Sequence, residues 1–281
     1  MAKAKVLTKE EFRKLQLTQV DLLKELDRVC RKNNICYVLG FGSMLGAVRH
    51  KGYIPWDDDA DIMMLREDYE RFRKCAGDLN PDICYFQDHY NDPDFLWGYG
   101  KLRRTGTKYV RAGQEHMKGK TGIFIDIFPM DDVPNSLIGC VVQDIECFFI
   151  RKTLYSRVGK YEAKGLAKLG YSFLSLFSVK SCYRSIERLA AKSRNAKPNR
   201  VRILMFMCDG KRNPKNSLKT RYGMEKRWIL ERSEYDFENL KLYGSKDYDG
   251  CLKYLFDDYM TPPPENEREQ HAPVSEIVFA D

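Results

Sequence analysis

The stretch PWDDDADI, residues 55–62, places four aspartates (Asp57, Asp58, Asp59 and Asp61) within five consecutive positions beside Trp56. Two carboxylates about 5 Å apart repel by roughly 3 kcal/mol at an effective dielectric near 20. A folded chain tolerates this where the side chains diverge into water or share a cation. An acidic turn that caps the next element accounts for Asp58. It accounts less well for Asp59 and Asp61. These stand at i and i+2 in a segment that runs into the apolar ADIMML, so a strand would point both to one face.

Downstream, TGIFIDIFPMDDVP reads as a second strand, rich in β-branched and aromatic residues, with Asp126 in its middle and a proline-containing stop. A lone carboxylate inside such a strand is costly and wants a partner or a cation. Two aspartates on one strand and a third on a neighbour make a hard-oxygen site suited to Mg²⁺ or Mn²⁺. Upstream, the short strand ICYVLG runs into FGSMLGAVRH, a glycine turn that opens a helix. That turn is a poor dinucleotide fingerprint, because the third glycine, Gly46, falls one place late. Nor is the aspartate run an EF-hand, since Ile62 occupies the position where the calcium loop requires glycine.

The surrounding chain is that of a globular protein of 281 residues, 43% hydrophobic and 31% charged, with a formal net charge of +8. The basic excess suits phosphate-bearing partners, nucleic acid and anionic membranes alike. Nine cysteines without a CxxC pair point to a reducing compartment rather than to a disulfide framework or zinc site. The start, MAKAKVLTKEEFRK, lacks the apolar core of a signal peptide, and the apolar run LGYSFLSLFSV is too short to span a bilayer. The expectation is a cytoplasmic protein, peripheral at most to the inner face of a membrane. Thr8 and Glu11 spell a capping box for a first helix, with Leu15, Leu22, Leu23, Leu26 and Val29 as its apolar stripe. The expected fold is α/β: a mixed sheet flanked by helices over residues 1–135, then a mostly helical region, 136–281, packed on it.

Together these motifs resemble the LicD family of the nucleotidyltransferase superfamily. GSMLGAVRHKGYIPWDDDADIMM and FIDIFPMDD carry the resemblance over residues 12–132, and the tail YMTPPPENEREQH carries it loosely over 235–271. The resemblance implies a nucleotidyltransferase-like fold. It also implies transfer of a phospho-alcohol, phosphocholine above all, from a CDP-linked donor to a hydroxyl of a cell-surface glycan or lipid-linked glycan, with release of CMP. Matched by position, Asp59 and Asp61 fall on the metal-binding pair and Asp126 on the third carboxylate, as a metal ligand or as the base. Gly42 and Ser43 fall on the phosphate-side turn, and Asp57 on a further acidic position. Arg268 and His271 belong to the matching tail.

Arg49, Lys101 and Arg103 are candidate phosphate clamps, because guanidinium and ammonium groups match phosphate oxygens; the alternative is plain surface charge. His50 adjoins Arg49 and is either a site residue or an exposed histidine. Trp56, next to the aspartates, is a candidate wall for a quaternary ammonium, with Tyr85, Trp97, Tyr99 and Trp228 as further aromatics. Two other classes remain in view: a nucleotidyltransferase that releases pyrophosphate from a nucleoside triphosphate, and a non-catalytic glycan or nucleotide binder. Basic stretches such as AAKSRNAKPNRVR come with no nucleic-acid-reading motif, so the expected partners are the CDP-alcohol, the acceptor and an anionic membrane, not nucleic acid.

Overall fold

A computed structural model describes residues 5–194, 198–268 and 273–280. Helix α1 (Lys9–Lys32) opens on the expected capping box: the Glu11 N–H donates to Thr8 Oγ1, and Glu11 Oε2 accepts from the Thr8 N–H. Strand β1 (Val38–Leu39) is far shorter than ICYVLG suggests. It is cut back by left-handed Asn34 on one side and by Gly40, the N-cap of α2 (Phe41–His50), on the other. Strand β2 (Asp61–Leu65) leads straight into α3 (Arg66–Lys74). Then come β3 (Cys84–Gln87), β4 (Gly100–Arg104), β5 (Lys108–Arg111) and β6 (Phe124–Asp132).

The region after residue 136 begins with three helices, α4 (Leu137–Glu162), α5 (Gly165–Leu174) and α6 (Val179–Arg194), and then returns to strands. These are β7 (Arg200–Arg202), β8 (Met224–Glu225) and, after the single turn α7 (Arg227–Leu230), the hairpin β9 (Arg232–Phe237) and β10 (Leu240–Ser245). Helix α8 (Tyr248–Phe256) and β11 (Val274–Val278) close the chain. The strand expected over VRILMFMCDG holds only at β7; the chain turns from Leu204, and Ile203, Met205 and Phe206 face a cavity instead.

Among the described residues the main sheet runs β1-β2-β6-β4-β3, with β7 on the far end of β6 and β8 on β7. Only β2 and β6 pair in parallel. All nine residues of β6 are buried, so both faces of the sheet are covered. Ile62, Met64, Ile125 and Ile127 face a core shared with Leu22, Leu23, Leu26 and Val29 of α1. Met63, Phe128 and Met130 face the other way, toward Val201, Ile203 and Trp228. Asp61 and Asp126 share the parity of that second face.

Pro129 lies inside β6, which runs on to Asp132 and ends ahead of Pro134. The Asp126 N–H donates to Ala60 O on the β2 side at 2.9 Å, so odd-numbered residues of β6 turn their N–H toward β4. The β4 ladder ends at Gly100↔Ile127, and the N–H that Pro129 lacks falls where no partner strand needs it.

Candidate active site

The aspartate loop is held from behind by two glutamines that interrupt the apolar stripe of α1. Gln16 Nε2 donates to Ile54 O and Asp57 O at 3.3 and 3.0 Å, and Gln19 Nε2 to Asp58 O and Phe124 O at 2.9 and 3.1 Å. Both glutamines are buried, so these carbonyls have no water to replace them. From the front, the Asp61 N–H donates to Ser43 Oγ at 2.9 Å, which ties the start of β2 to the first turn of α2.

This loop brings Asp57, Asp58 and Asp59 together with one carboxylate oxygen of each within 4.8 Å of the others. Asp61 and Asp126 stand on one rung of the parallel β2–β6 ladder. The Asp59 carboxyl is pushed up to about 7, first by burial, then by the charges of Asp57, Asp58 and Asp126, with Arg111 opposing. Asp61 is pushed well above the usual carboxylate range by burial and by Asp59 and Asp126. Hard oxygen donors crowded until they resist ionisation are a donor set that a divalent cation would relieve, and the residues present fit Mg²⁺ or Mn²⁺.

Asp57, Asp59, Asp61 and Asp126 line one cavity of about 960 Å³, together with Gly42, Trp56 and Arg111. One wall is a set of packed rings: Phe128 lies 4.8 Å from Tyr99, 5.3 Å from Phe206 and 5.9 Å from Phe41, centroid to centroid. Arg151, Lys152 and Tyr155 of α4 and Arg212 of the loop after β7 complete the lining. Phe41 adopts a left-handed φ of 40°, a strained conformation for an aromatic residue, at the turn that faces the aspartates.

The candidate phosphate clamps divide. Lys101 is buried and ion-paired to Asp126, and its ammonium lies over the Phe124 ring. Burial pushes the Lys101 ammonium down to about 7, while the Asp126 carboxylate opposes this. Arg103 spends its donors on Gln87 Oε1 and on Gly122 O. Neither is surface charge, and neither lines the large cavity; both border a smaller one of about 280 Å³ behind it. Arg49 donates to Tyr259 O at 2.9 Å and to His50 Nε2 at 2.9 Å. Arg268 lies over Trp56, 4.8 Å from the ring centroid, and the His50 ring meets the same indole edge-on at 6.4 Å. Head and tail motifs thus converge on Trp56. His271 lies outside the described residues.

Ser43 uses its oxygen on the Asp61 N–H, and Gly42 faces the Asp57 carboxylate. Of the further aromatics, Trp97 and Tyr99 line the large cavity. Tyr85 instead donates to Thr121 O, and Trp228 to Asp247. Sequence reasoning passed over Arg111, which borders both cavities and whose buried Nε has no hydrogen-bond partner among the described residues. It also passed over Gln16 and Gln19, whose polarity inside an apolar stripe was the available signal.

Residues 34–154 match the family described as LicD/FKTN/FKRP, nucleotidyltransferase domain, a stretch that spans β1 to β6 and enters α4. Over 137 residues the chain is 37% identical to the lipopolysaccharide cholinephosphotransferase LicD of Haemophilus influenzae, covering 46% of this chain and 48% of that protein. Uncharacterized proteins of Rickettsia typhi and Rickettsia prowazekii are 44% identical over 61 residues and 47% identical over 55. The chain thus spans about half the length of the Haemophilus protein and about a fifth of each Rickettsia protein.

Proposed function

We propose that this chain is a metal-dependent transferase that moves a phospho-alcohol, phosphocholine first, from a CDP-linked donor to a hydroxyl of a cell-surface glycan or glycolipid precursor and releases CMP. The observation that carries this reading is the meeting of Asp59, Asp61 and Asp126 in one cavity walled by cations and packed rings. The relative's name, a lipopolysaccharide cholinephosphotransferase, supports phosphocholine and a lipopolysaccharide acceptor over other pairs.

In the reaction, the acceptor oxygen bonds to the phosphorus that bears the alcohol, and the bond from that phosphorus to the CMP oxygen breaks. Asp59 and Asp61 would hold Mg²⁺ or Mn²⁺, with Asp57 or Asp126 completing the set; when bound, the ion supplies neutralising charge at the diphosphate oxygens. Arg111 offers a guanidinium fork to the same oxygens. The ring wall of Tyr99, Phe128 and Phe206, with Trp56 and Trp97 nearby, suits a quaternary ammonium. Asp126, positioned by Lys101, would take the acceptor's proton if it is not a ligand. A cavity of about 960 Å³ accommodates a nucleotide-sized donor.

The test is to incubate wild type and Asp61→Asn with Mg²⁺, a panel of CDP-alcohols and CTP, and to follow binding and products. Metal-dependent binding of one CDP-alcohol with CMP release, lost in the variant, supports the reading. Binding of CTP with pyrophosphate release would favour nucleotidyl transfer, the reaction for which the matched domain is named. Binding of none of them would leave a LicD-family domain with a different task.

A further inference from the structure

Helix α5 has no buried residue. Its sequence, GLAKLGYSFL, is nonetheless apolar, with Leu166 86% exposed, and the turn that follows leaves Leu176 80% exposed. Helix α4 shows the same trait along its first half, where Ile138, Val142, Ile145 and Phe149 recur at helical spacing with their side chains in water. Further along α4 the same helical phase, at Lys152, Ser156 and Gly159, is where α5 packs: Tyr171 lies against Gly159, meets Tyr155 at 5.6 Å and accepts from Lys152 Nζ at 3.2 Å. The outward side of α5 carries Leu166, Leu169 and Phe173, and Phe177 follows it, so the apolar face of α4 continues onto the hairpin rather than ending at it. The run LGYSFLSLFSV, which stands apart in the sequence and takes no part in the site, is the tip of this face.

The charge around the face is mostly positive. From residue 163 to residue 186 the chain holds no Asp or Glu, while Lys164, Lys168, Lys180 and Arg184 are exposed and form no ion pair among the described residues. Of the acids on α4, Asp144 is paired with Arg202 and Lys211 and Glu146 with Arg188, while Glu162 at the hairpin accepts from the Tyr155 hydroxyl. No helix among the described residues is long and apolar enough to cross a membrane.

From this arrangement we infer that the α4–α5 hairpin docks on an anionic lipid surface, its leucines and phenylalanines entering the interface and its lysines facing lipid headgroups. Apolar side chains flanked by unpaired cations are what such a surface binds, whereas a second copy would set the same positive rim against itself. Leu154 and Tyr155 of α4 line the cavity, so one helix would join a lipid-borne acceptor to the site. That consequence rests on the transferase reading; the docking itself does not.

The experiment is flotation of the full chain with vesicles of phosphatidylcholine alone or with about 30% phosphatidylglycerol, without donor or acceptor. Wild type is expected to float with the anionic vesicles at least about tenfold better than with the neutral ones, and less well as salt rises. Leu169→Glu with Phe173→Glu, and separately Lys164→Glu with Lys168→Glu, are expected to lose about tenfold in binding. Circular dichroism should remain that of wild type, because all four side chains are exposed. Asp61→Asn should float like wild type, so loss of turnover and loss of docking are read independently. Wild type that stays in solution with both vesicles overturns the inference. So does a Leu169, Phe173 variant that floats undiminished, or a wild type whose face is consumed by self-association in analytical centrifugation.

Discussion

The carboxylate of Asp57 lies against Gly42 so closely that a Cβ there would stand 2.6 Å from Oδ2. The acidic loop is therefore seated on the first turn of α2, whose N-cap, Gly40, makes no side-chain cap hydrogen bond. A fixed negative charge at that end of a helix is favoured by the helix dipole. The glycine that the sequence offered as a phosphate cradle admits this carboxylate.

Gly42→Ala should displace Asp57, which is buried and has little room to retreat. Overpacking of this kind costs about 1–3 kcal/mol, and the expected result is a lower urea midpoint together with weaker Mg²⁺-dependent donor binding. An unchanged midpoint with unchanged calorimetric affinity would show that the loop is not seated by this contact.

The Asp59 carboxyl, raised to about 7, makes stability depend on pH in a defined direction. A carboxyl whose proton is held more tightly in the folded state favours folding at low pH. That contribution fades as pH rises from about 4 to about 7. With metal chelated, Asp59→Asn should thus match wild type near pH 4 and exceed it near pH 8, by at most about 4 kcal/mol. Added Mg²⁺ should narrow or close that gap, since an ion at about 100 times its dissociation constant stabilises wild type by about 2.7 kcal/mol. Denaturant titrations across pH, with and without the ion, decide it.

Lys101 and Asp126 face each other on the β4–β6 ladder as a buried ion pair. Removing one partner leaves a buried charge, so Lys101→Met should destabilise the protein by about 3–5 kcal/mol. Lys101→Met with Asp126→Leu should recover most of that loss while remaining inactive, because the carboxylate is gone. A double variant as unstable as the single would mean that the pair is not what holds this part of the sheet.

Gln19 bridges the backbone at Asp58 and Phe124 from inside α1. Gln19→Leu keeps the volume but strands two buried carbonyls, at about 1–3 kcal/mol. Loosening of the aspartate loop should appear as weaker Mg²⁺ binding, read by calorimetry on the folded variant. A stability loss with unaltered Mg²⁺ affinity would restrict Gln19 to packing.

Much of the site was legible because its signals are local. Thr8 and Glu11 close their capping box within one helical turn, whereas Asp61 opens β2 and Asp59, expected beside it on the strand, stays in the loop before it. Asp126 stood out as a charge inside an apolar strand. The hairpin β9–β10 did not stand out: its two-residue turn is Glu238-Asn239, with Glu238 rather than a glycine in the left-handed region at φ 56°. That β6 tolerates Pro129 was hidden for a related reason, since whether a missing N–H matters depends on which neighbouring strand it faces.

The sequence by itself determined that carboxylates would gather where the loop of Asp59 meets the apolar strands that carry Asp61 and Asp126, because burying such charge requires a compensating partner whatever the fold. Only the tertiary structure decided which partner each residue received. It set Lys101 against Asp126, left the buried Nε of Arg111 without a hydrogen-bond partner among the described residues, and brought Arg268 over Trp56 from the far end of the chain. Those residues are distant in sequence. Their meeting follows from strand order and helix packing, which arise from the burial of the whole core rather than from any local pattern.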